Sequence, residues 1–221
     1  MGQVPRYGIV GSGRVARHLA HYLSLLGIPC EGSPDFRTPV VLLAVSDHAI
    51  DAVARDFGKH EDQTLVHFSG SHVSQKAVCF HPLMTFGEEL YDLTTYQSIP
   101  FIGDVGGPGF KIVFPGLNNP NYEIPTSQRA LYHSLCVLSG NFTVLLWQKF
   151  YASLEQDFGI PKKAAQPYLE RITKNLLENP EAALTGPLQR GDAHTIENNL
   201  RALEGDPYQE VYRAFVKAVK I

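Results

Sequence analysis

The sequence predicts two parts, an α/β N-terminal domain built on a parallel sheet and an all-α C-terminal domain. Three observations carry this. Residues 7–10 are a short apolar run that leads through a glycine turn into an amphipathic stretch. Further apolar runs at 40–45, 64–68 and 77–80 each end in polar or glycine residues, as buried parallel strands do. Beyond Thr126 apolar residues recur at helical spacing, so the boundary is placed between 1–125 and 126–221.

Composition narrows the class of partner. Hydrophobic residues make up 44% of the chain and charged ones 19%, enough to bury a core. A net charge of -3 gives no electrostatic reason to bind nucleic acid or an anionic membrane, and neither is expected as a partner. The opening "MGQVPRYGIVG" lacks the pattern of a secretory leader, and no continuous apolar run reaches the ~18 residues of a membrane span. A cytoplasmic location is the expectation. Cys30, Cys79 and Cys136 read as free thiols, and His67, His72 and His81 lack metal-ligand spacing, so no metal is expected.

The first strand, Tyr7–Val10, is followed by Gly11-Ser12-Gly13-Arg14-Val15-Ala16. Apolar residues at 15, 19, 20, 23 and 26 then mark a helix that Gly27 ends. This is GxGxxA between a strand and a helix, the fingerprint of a Rossmann-like nucleotide fold. Gly11 allows the tight turn, Gly13 lets a pyrophosphate reach the helix N-terminus, and Ala16 lets helix and strand pack closely. Gly11, Ser12, Gly13, Arg14 and Val15 are therefore candidate cofactor-binding residues. The same turn could serve another ligand, as in a methyltransferase.

A second strand is expected at "IPCEG", 28–32, with Glu31 placed to hold ribose hydroxyls about 20 residues after the turn. The chain then departs from the usual pattern. Only "SPDFRTP" precedes the next strand, so the crossover helix cannot fit and the sheet is abbreviated after strand two. Ser33, Arg37 and Thr38 in that loop, with Arg14, offer partners for a 2′-phosphate. They tip the expectation towards NADP and leave NAD open.

"VVLLAV" ends at Val45, which with the following Ser46 is a candidate for cofactor binding, and Ser46 or Asp47 can cap the helix carrying apolar residues at 50, 53, 54 and 57. "TLVHF" at 64–68 leads into Ser69-Gly70-Ser71-His72, and "AVCF" at 77–80 into His81-Pro82. The C-terminal edge of a parallel sheet is where ligands bind, which places both turns on the cleft. His81 is a candidate proton donor there. Residues 87–125 are rich in Gly, Pro and Asn, and "FKIVF" at 110–114 suits either a strand or a short helical turn.

In the second half the pattern predicts one long helix over about 126–158, stopped at Gly159. Around 142–151 it is apolar on nearly every face, which argues for burial in a domain or at a dimer interface. Further helices are expected at 162–178, 193–204 and 207–219.

Taken in order, "GIVGSGRVARHLA", "LLAVSDHAI", "VHFSGSH", "FHPLMTF", "RALYHSLCVLSGN" and "ALTGPLQRGDAHTIENNL" resemble Rossmann-like proteins that carry the domain of unknown function DUF2520. These resemble pyrroline-5-carboxylate reductase, ketopantoate reductase and the 6-phosphogluconate and β-hydroxyacid dehydrogenases. The resemblance implies NAD(P)-dependent oxidoreductase activity on a small-molecule substrate, a helical C-terminal domain and a homodimer formed through it. Relatives carry a lysine and, four residues on, an asparagine on the long helix. Asn141 matches the asparagine, but Val137 stands at the lysine position. One turn earlier His133 has a side chain suited to proton transfer at neutral pH. On a straight helix it lies about 12 Å and roughly 80° from Asn141.

Ser69 and Gly70 resemble the relatives' substrate-holding motif, and Thr185 and Arg190 would add contacts from the helical side, Arg190 gripping a carboxylate. Asp192 is read first as the cap of the helix after it. The expected function is hydride transfer between a nicotinamide cofactor and a small carbonyl, hydroxyl or imine compound. The alternative is a non-catalytic dinucleotide-binding sensor or scaffold.

Overall fold

The computed structural model describes residues 5–219 apart from Ser33, Phe36 and 58–62. By its internal contacts the chain divides into two compact units, Met1–Val144 and Leu145–Ile221.

The first unit is α/β. Five parallel strands, β1 (Tyr7–Val10), β2 (Cys30–Glu31), β3 (Val40–Leu43), β4 (Thr64–His67) and β5 (Val78–Cys79), lie in the order β2-β1-β3-β4-β5. Val10 is paired with Leu43 and Leu43 with His67, so the three central strands end level and their following turns share one edge. All four residues of β3 are buried, because both faces of the sheet are covered. Val40 and Leu42 pack with Leu19 and Leu23 of α1 (Arg14–Leu25), while Val41 and Leu43 pack with Ile50 and Ala54 of α2 (Ile50–Phe57). The period-two alternation of one strand thus fixes a helix on each face. Between β2 and β3 the described residues form no helix, as the short link predicts.

The segment rich in Gly, Pro and Asn is more regular than its composition suggests. It supplies a second sheet, β6 (His81–Pro82), β7 (Phe101–Asp104) and β8 (Asn121–Ile124), with β6–β7 antiparallel and β7–β8 parallel. Helix α3 (Leu93–Ser98) is capped by Asp92, whose carboxylate accepts from the Thr95 N–H at 2.7 Å. "FKIVF" is the short helix α4 (Phe110–Val113), not a strand. Burial of Phe110, Val113 and Phe114 at helical spacing against Phe80 and Phe101 decides it, and Pro115 follows. Asn119 ties the segment to α1: it accepts from Tyr22 Oη at 2.7 Å and donates to the Tyr96 and Ile99 carbonyls at 2.7 and 2.9 Å.

The long helix runs from Thr126 to Gln156. It comprises α5 (Arg129–Cys136), a π-helical turn at Val137–Asn141 and α6 (Phe142–Gln156), and Gly159 follows at φ +64°. The compact units divide inside this helix, not at its start where the sequence places the boundary. By length and composition alone it could cross a membrane, with a window of mean hydropathy 1.3. The expectation that 142–151 is buried within its own domain is not met: Phe142, Val144, Leu145 and Phe150 are 37–55% exposed in the single chain.

The second unit contains the rest of that helix with α7 (Gln166–Glu178), α8 (Pro187–Arg190), α9 (Ala193–Ala202) and α10 (Tyr208–Ala218). Its predicted helices are all present. The single turn α8 is the addition, set between Gly186 at φ +86° and Gly191 at φ +64°. Among its described residues, the buried hydrophobic ones are Leu154, Ala165 and Ile196.

Candidate cofactor and substrate site

Gly11 has φ +124°, and a Cβ there would lie 2.1 Å from the Ala44 carbonyl oxygen. No side chain fits, so the turn after β1 is pressed onto the end of β3. Gly13 is different. Its backbone is extended, and a Cβ would meet nothing within 4 Å, because it faces an open cleft. Helix α1 starts directly after it with no side-chain cap and no acidic residue in the first turn, which leaves the positive helix end free for an anion. The cleft, about 630 Å³, is lined by residues 11–15 from this turn, by Leu43, Ala44, Val45, Ser46, Asp47 and Ala49, and by Phe68 and Ser69. The predicted residues Gly11, Ser12, Gly13, Arg14, Val15, Val45, Ser46 and Ser69 therefore converge.

A second cavity of about 540 Å³ shares Gly11 and Ser12 and runs along Arg17, Ala20 and Ser24 to Cys30 and Glu31. It occupies the flank of α1 left bare by the missing crossover helix. Glu31 accepts a short hydrogen bond from Thr38 Oγ1 and pairs with Arg6 Nε at 3.8 Å. Thr38 is fully buried, so its hydroxyl supports Glu31 and does not reach a phosphate as the sequence suggests. Ser33 lies outside the described residues.

At the other end of the first cleft Ser46 makes no side-chain cap; its hydroxyl lies 3.3 Å from His48 Nε2. Asp47 does not cap the helix through its side chain either, since Oδ2 accepts from Ser69 Oγ at 2.7 Å and from Ser71 Oγ at 3.4 Å. Ser69 Oγ also accepts from the N–H groups of Ser71 and His72 at 3.3 and 3.0 Å. The Ser69 hydroxyl is thus engaged within the protein and locks the turn after β4.

Gly70 is where the site closes. A Cβ on it would lie 2.3 Å from His133 Nδ1 and 3.1 Å from His81 Nε2, so both ring nitrogens converge on the space its missing side chain leaves. The rings sit 6.0 Å apart at 86°. His81 Nδ1 is 2.7 Å from Tyr132 Oη; with the hydroxyl donating, His81 carries its proton on Nε2, facing Gly70. Burial, with smaller contributions from His133 and Arg129, pushes the His81 pKa down to about 4, so the ring is neutral at pH 7. Burial likewise raises the Tyr132 phenol, and a hydrogen bond with Cys136 adds to the rise. His133 Nδ1 is buried without a hydrogen-bond partner among the described residues.

Arg129 anchors this helix. Its side chain is fully buried, with Nε 2.5 Å from Asp104 Oδ1 and Nη2 3.4 Å from the Ile102 carbonyl, while Nη1 has no partner. Neither Arg129 nor Tyr132 is among the residues picked out from the sequence. A signal was present: Arg129, Tyr132 or His133, and Cys136 recur at helical spacing on one face. Asn141, by contrast, is exposed in the π-helical turn, where an extra residue per turn rotates it away from the straight-helix estimate. Thr185 and Arg190 are exposed residues of the second unit. Asp192 is the expected cap, its carboxylate accepting from the Thr195 N–H at 3.0 Å and from Thr195 Oγ1 at 2.7 Å.

A parallel sheet with a glycine turn opening α1 and a cleft across the strand ends defines a Rossmann-like protein. Residues 110–219 match the family model for the domain of unknown function DUF2520, and the chain carries that domain. No curated protein sequence matches it. Among solved structures it is similar to a Bacteroides fragilis protein proposed to be an NADP oxidoreductase, with TM-score 0.78, 22% identity and 98% of each chain covered. It is also similar to a Thermotoga maritima protein, with TM-score 0.70, 22% identity, and 97% and 96% covered. The Plasmodium falciparum pyrroline carboxylate reductase with NADP bound gives TM-score 0.60 at 13% identity, with 97% and 95% covered. At these identities the likeness is one of fold.

Proposed function

We propose that the chain is an NAD(P)-dependent oxidoreductase moving a hydride between a nicotinamide cofactor and a small carbonyl, hydroxyl or imine compound. The observation that supports this most is the bare Gly13 position at the free N-terminus of α1, opening on a cleft that extends to Ser69, next to the paired imidazoles at Gly70. Gly11, Ser12, Gly13 and Arg14 would hold the pyrophosphate, Glu31 the adenosine ribose, and Val45 and Ser46 the nicotinamide half. When bound, the cofactor supplies or takes up the hydride. The protein's own tasks are orientation and the handling of one proton.

His133 is the group we assign to proton transfer, because its Nδ1 is unpaired beside Gly70. His81, neutral and fixed by Tyr132, offers an N–H to the same point. Asn141, in the same unit, is assigned with them to catalysis. Glu31 suits the free ribose hydroxyls of NAD(H) and Arg14 a 2′-phosphate, so NADP keeps the slight preference and NAD stays open. The apolar helices of the second unit support a homodimer, and three free cysteines support a reducing compartment such as the cytoplasm.

Fluorescence titration with NADPH and NADH tests the reading: micromolar binding of at least one is expected, and no binding of either at about 1 mM would sink it. Val137 in place of lysine favours a second reading, a dinucleotide-binding sensor without turnover. Turnover of any carbonyl or imine that is lost in His133→Ala would eliminate that alternative.

A further inference from the structure

We propose that Asp47 forms a cation subsite in the cleft, and that the substrate it receives is a protonated imine or, in the reverse direction, the ammonium form of the corresponding amine, which gives one proton to His133 before its hydride leaves. This rests on the oxidoreductase reading above and narrows it. The charged side chains lining the cleft are Arg14, at the glycine turn, and Asp47, on the turn after β3. Arg14 and the free helix end suit phosphate; Asp47 marks a negative end beside Ser69 and Gly70.

The carboxylate is held ready. Ser69 and Ser71 both donate to Oδ2, and no side chain among the described residues bonds Oδ1, which can accept from a ligand. Ser69 is itself fixed by two backbone N–H groups, so the carboxylate's orientation is set before anything binds. The neighbouring His81 ring is neutral and adds no competing positive charge.

The chemistry agrees with this polarity. An imine nitrogen must carry a proton before hydride addition: a substrate that arrives protonated brings its own, and one that arrives neutral takes it from His133. Hydride addition at its carbon turns C=N into C–N, sends the π pair to nitrogen as the amine lone pair, and leaves the proton where it was. A carbonyl oxygen would instead require a proton donor at the same point.

The test uses the full chain, wild type and Asp47→Asn. Asparagine keeps one oxygen to accept from both serines, removes the charge and puts an NH2 donor in place of the second oxygen. Cofactor affinity is read by NADH and NAD⁺ fluorescence titration. Ligand affinity is read by thermal shift and saturation-transfer NMR, with and without cofactor, using cyclohexylamine and piperidine against their neutral isosteres cyclohexanol and tetrahydropyran.

The expected result is that the amines bind and the isosteres do not, with amine affinity falling at least about tenfold in Asp47→Asn while NADH affinity stays within about twofold. Asp47→Glu keeps the amine preference and guards against a folding defect. Equal binding of amines and isosteres, no amine binding at all, or unchanged amine affinity in Asp47→Asn overturns the proposal. So does a loss confined to NAD⁺, since the carboxylate would then serve the nicotinamide cation. If neither cofactor binds the wild type, the oxidoreductase reading fails by itself, and amine binding to the free protein still decides the subsite.

Discussion

In the first unit Tyr7, Val41 and Leu42 are sealed between two layers, whereas in the second Phe158, Tyr168 and Leu177 face outward at 68%, 59% and 81% exposure. The sheet explains the difference. A parallel sheet covered on both faces closes its own core, and every strand residue finds an apolar neighbour. The helices of the second unit are amphipathic or apolar all round and enclose little among themselves. Hydrophobic surface on that scale marks an interaction face, and it is why a second copy is proposed to complete this unit.

The largest expected effect lies in the first unit. Arg129→Met leaves Asp104 uncompensated against the buried end of α5, and should lower unfolding free energy by about 3–5 kcal/mol in urea denaturation. Adding Asp104→Leu should restore part of it. A single variant within about 1 kcal/mol of wild type would show that the pair does not hold the unit together.

The contrast between the units is tested most directly by Leu145→Glu with Phe150→Glu on α6. Light scattering should show wild-type dimers and variant monomers, with a loss of about 2 kcal/mol or more per central contact. A wild type that stays monomeric at micromolar concentration would make the exposed helices a property of the isolated chain.

Gly11→Ala is smaller. Strain at φ +124° and the clash with the Ala44 carbonyl should cost about 1–3 kcal/mol and weaken cofactor binding, whereas Gly13→Ala should leave stability nearly unchanged and affect binding alone. Equal stability losses in the two variants would refute the distinction drawn between these glycines.

Acid should act in one direction. His67 and His81 have folded pKa values near 4, lowered from 6.5 chiefly by burial. Between those values the unfolded chain takes up protons that the native one refuses, so stability is full above pH 6.5 and declines as pH falls towards 4. Melting temperature against pH should show this slope, and His67→Gln should flatten it. A wild-type profile that is level from pH 7 to 4.5 would contradict it.

The parallel sheet, the glycine turn and most helices were legible because each rests on local periodicity or on a residue type that a turn demands. Glu31 and Val45, expected on the same grounds, lie on the cavity linings. The second sheet was missed because "FIGD" and "NYEI" are four residues long and β8 is largely exposed, so neither shows a clean alternation. The convergence of His81 and His133 at Gly70 joins positions more than 50 residues apart in the chain, and no local pattern encodes it. The part played by Asp47 was hidden behind a plausible cap. Only the positions of Ser69 and Ser71 show that its carboxylate is turned to the neighbouring strand instead.

The two outermost strands of the parallel sheet, β2 and β5, are each two residues long. A rim that brief exposes few unpaired backbone groups, too few to template a strand from a neighbouring chain. With no helix between β2 and β3 among the described residues, the sheet tapers to this edge, and the flank of α1 beside it opens as a cavity.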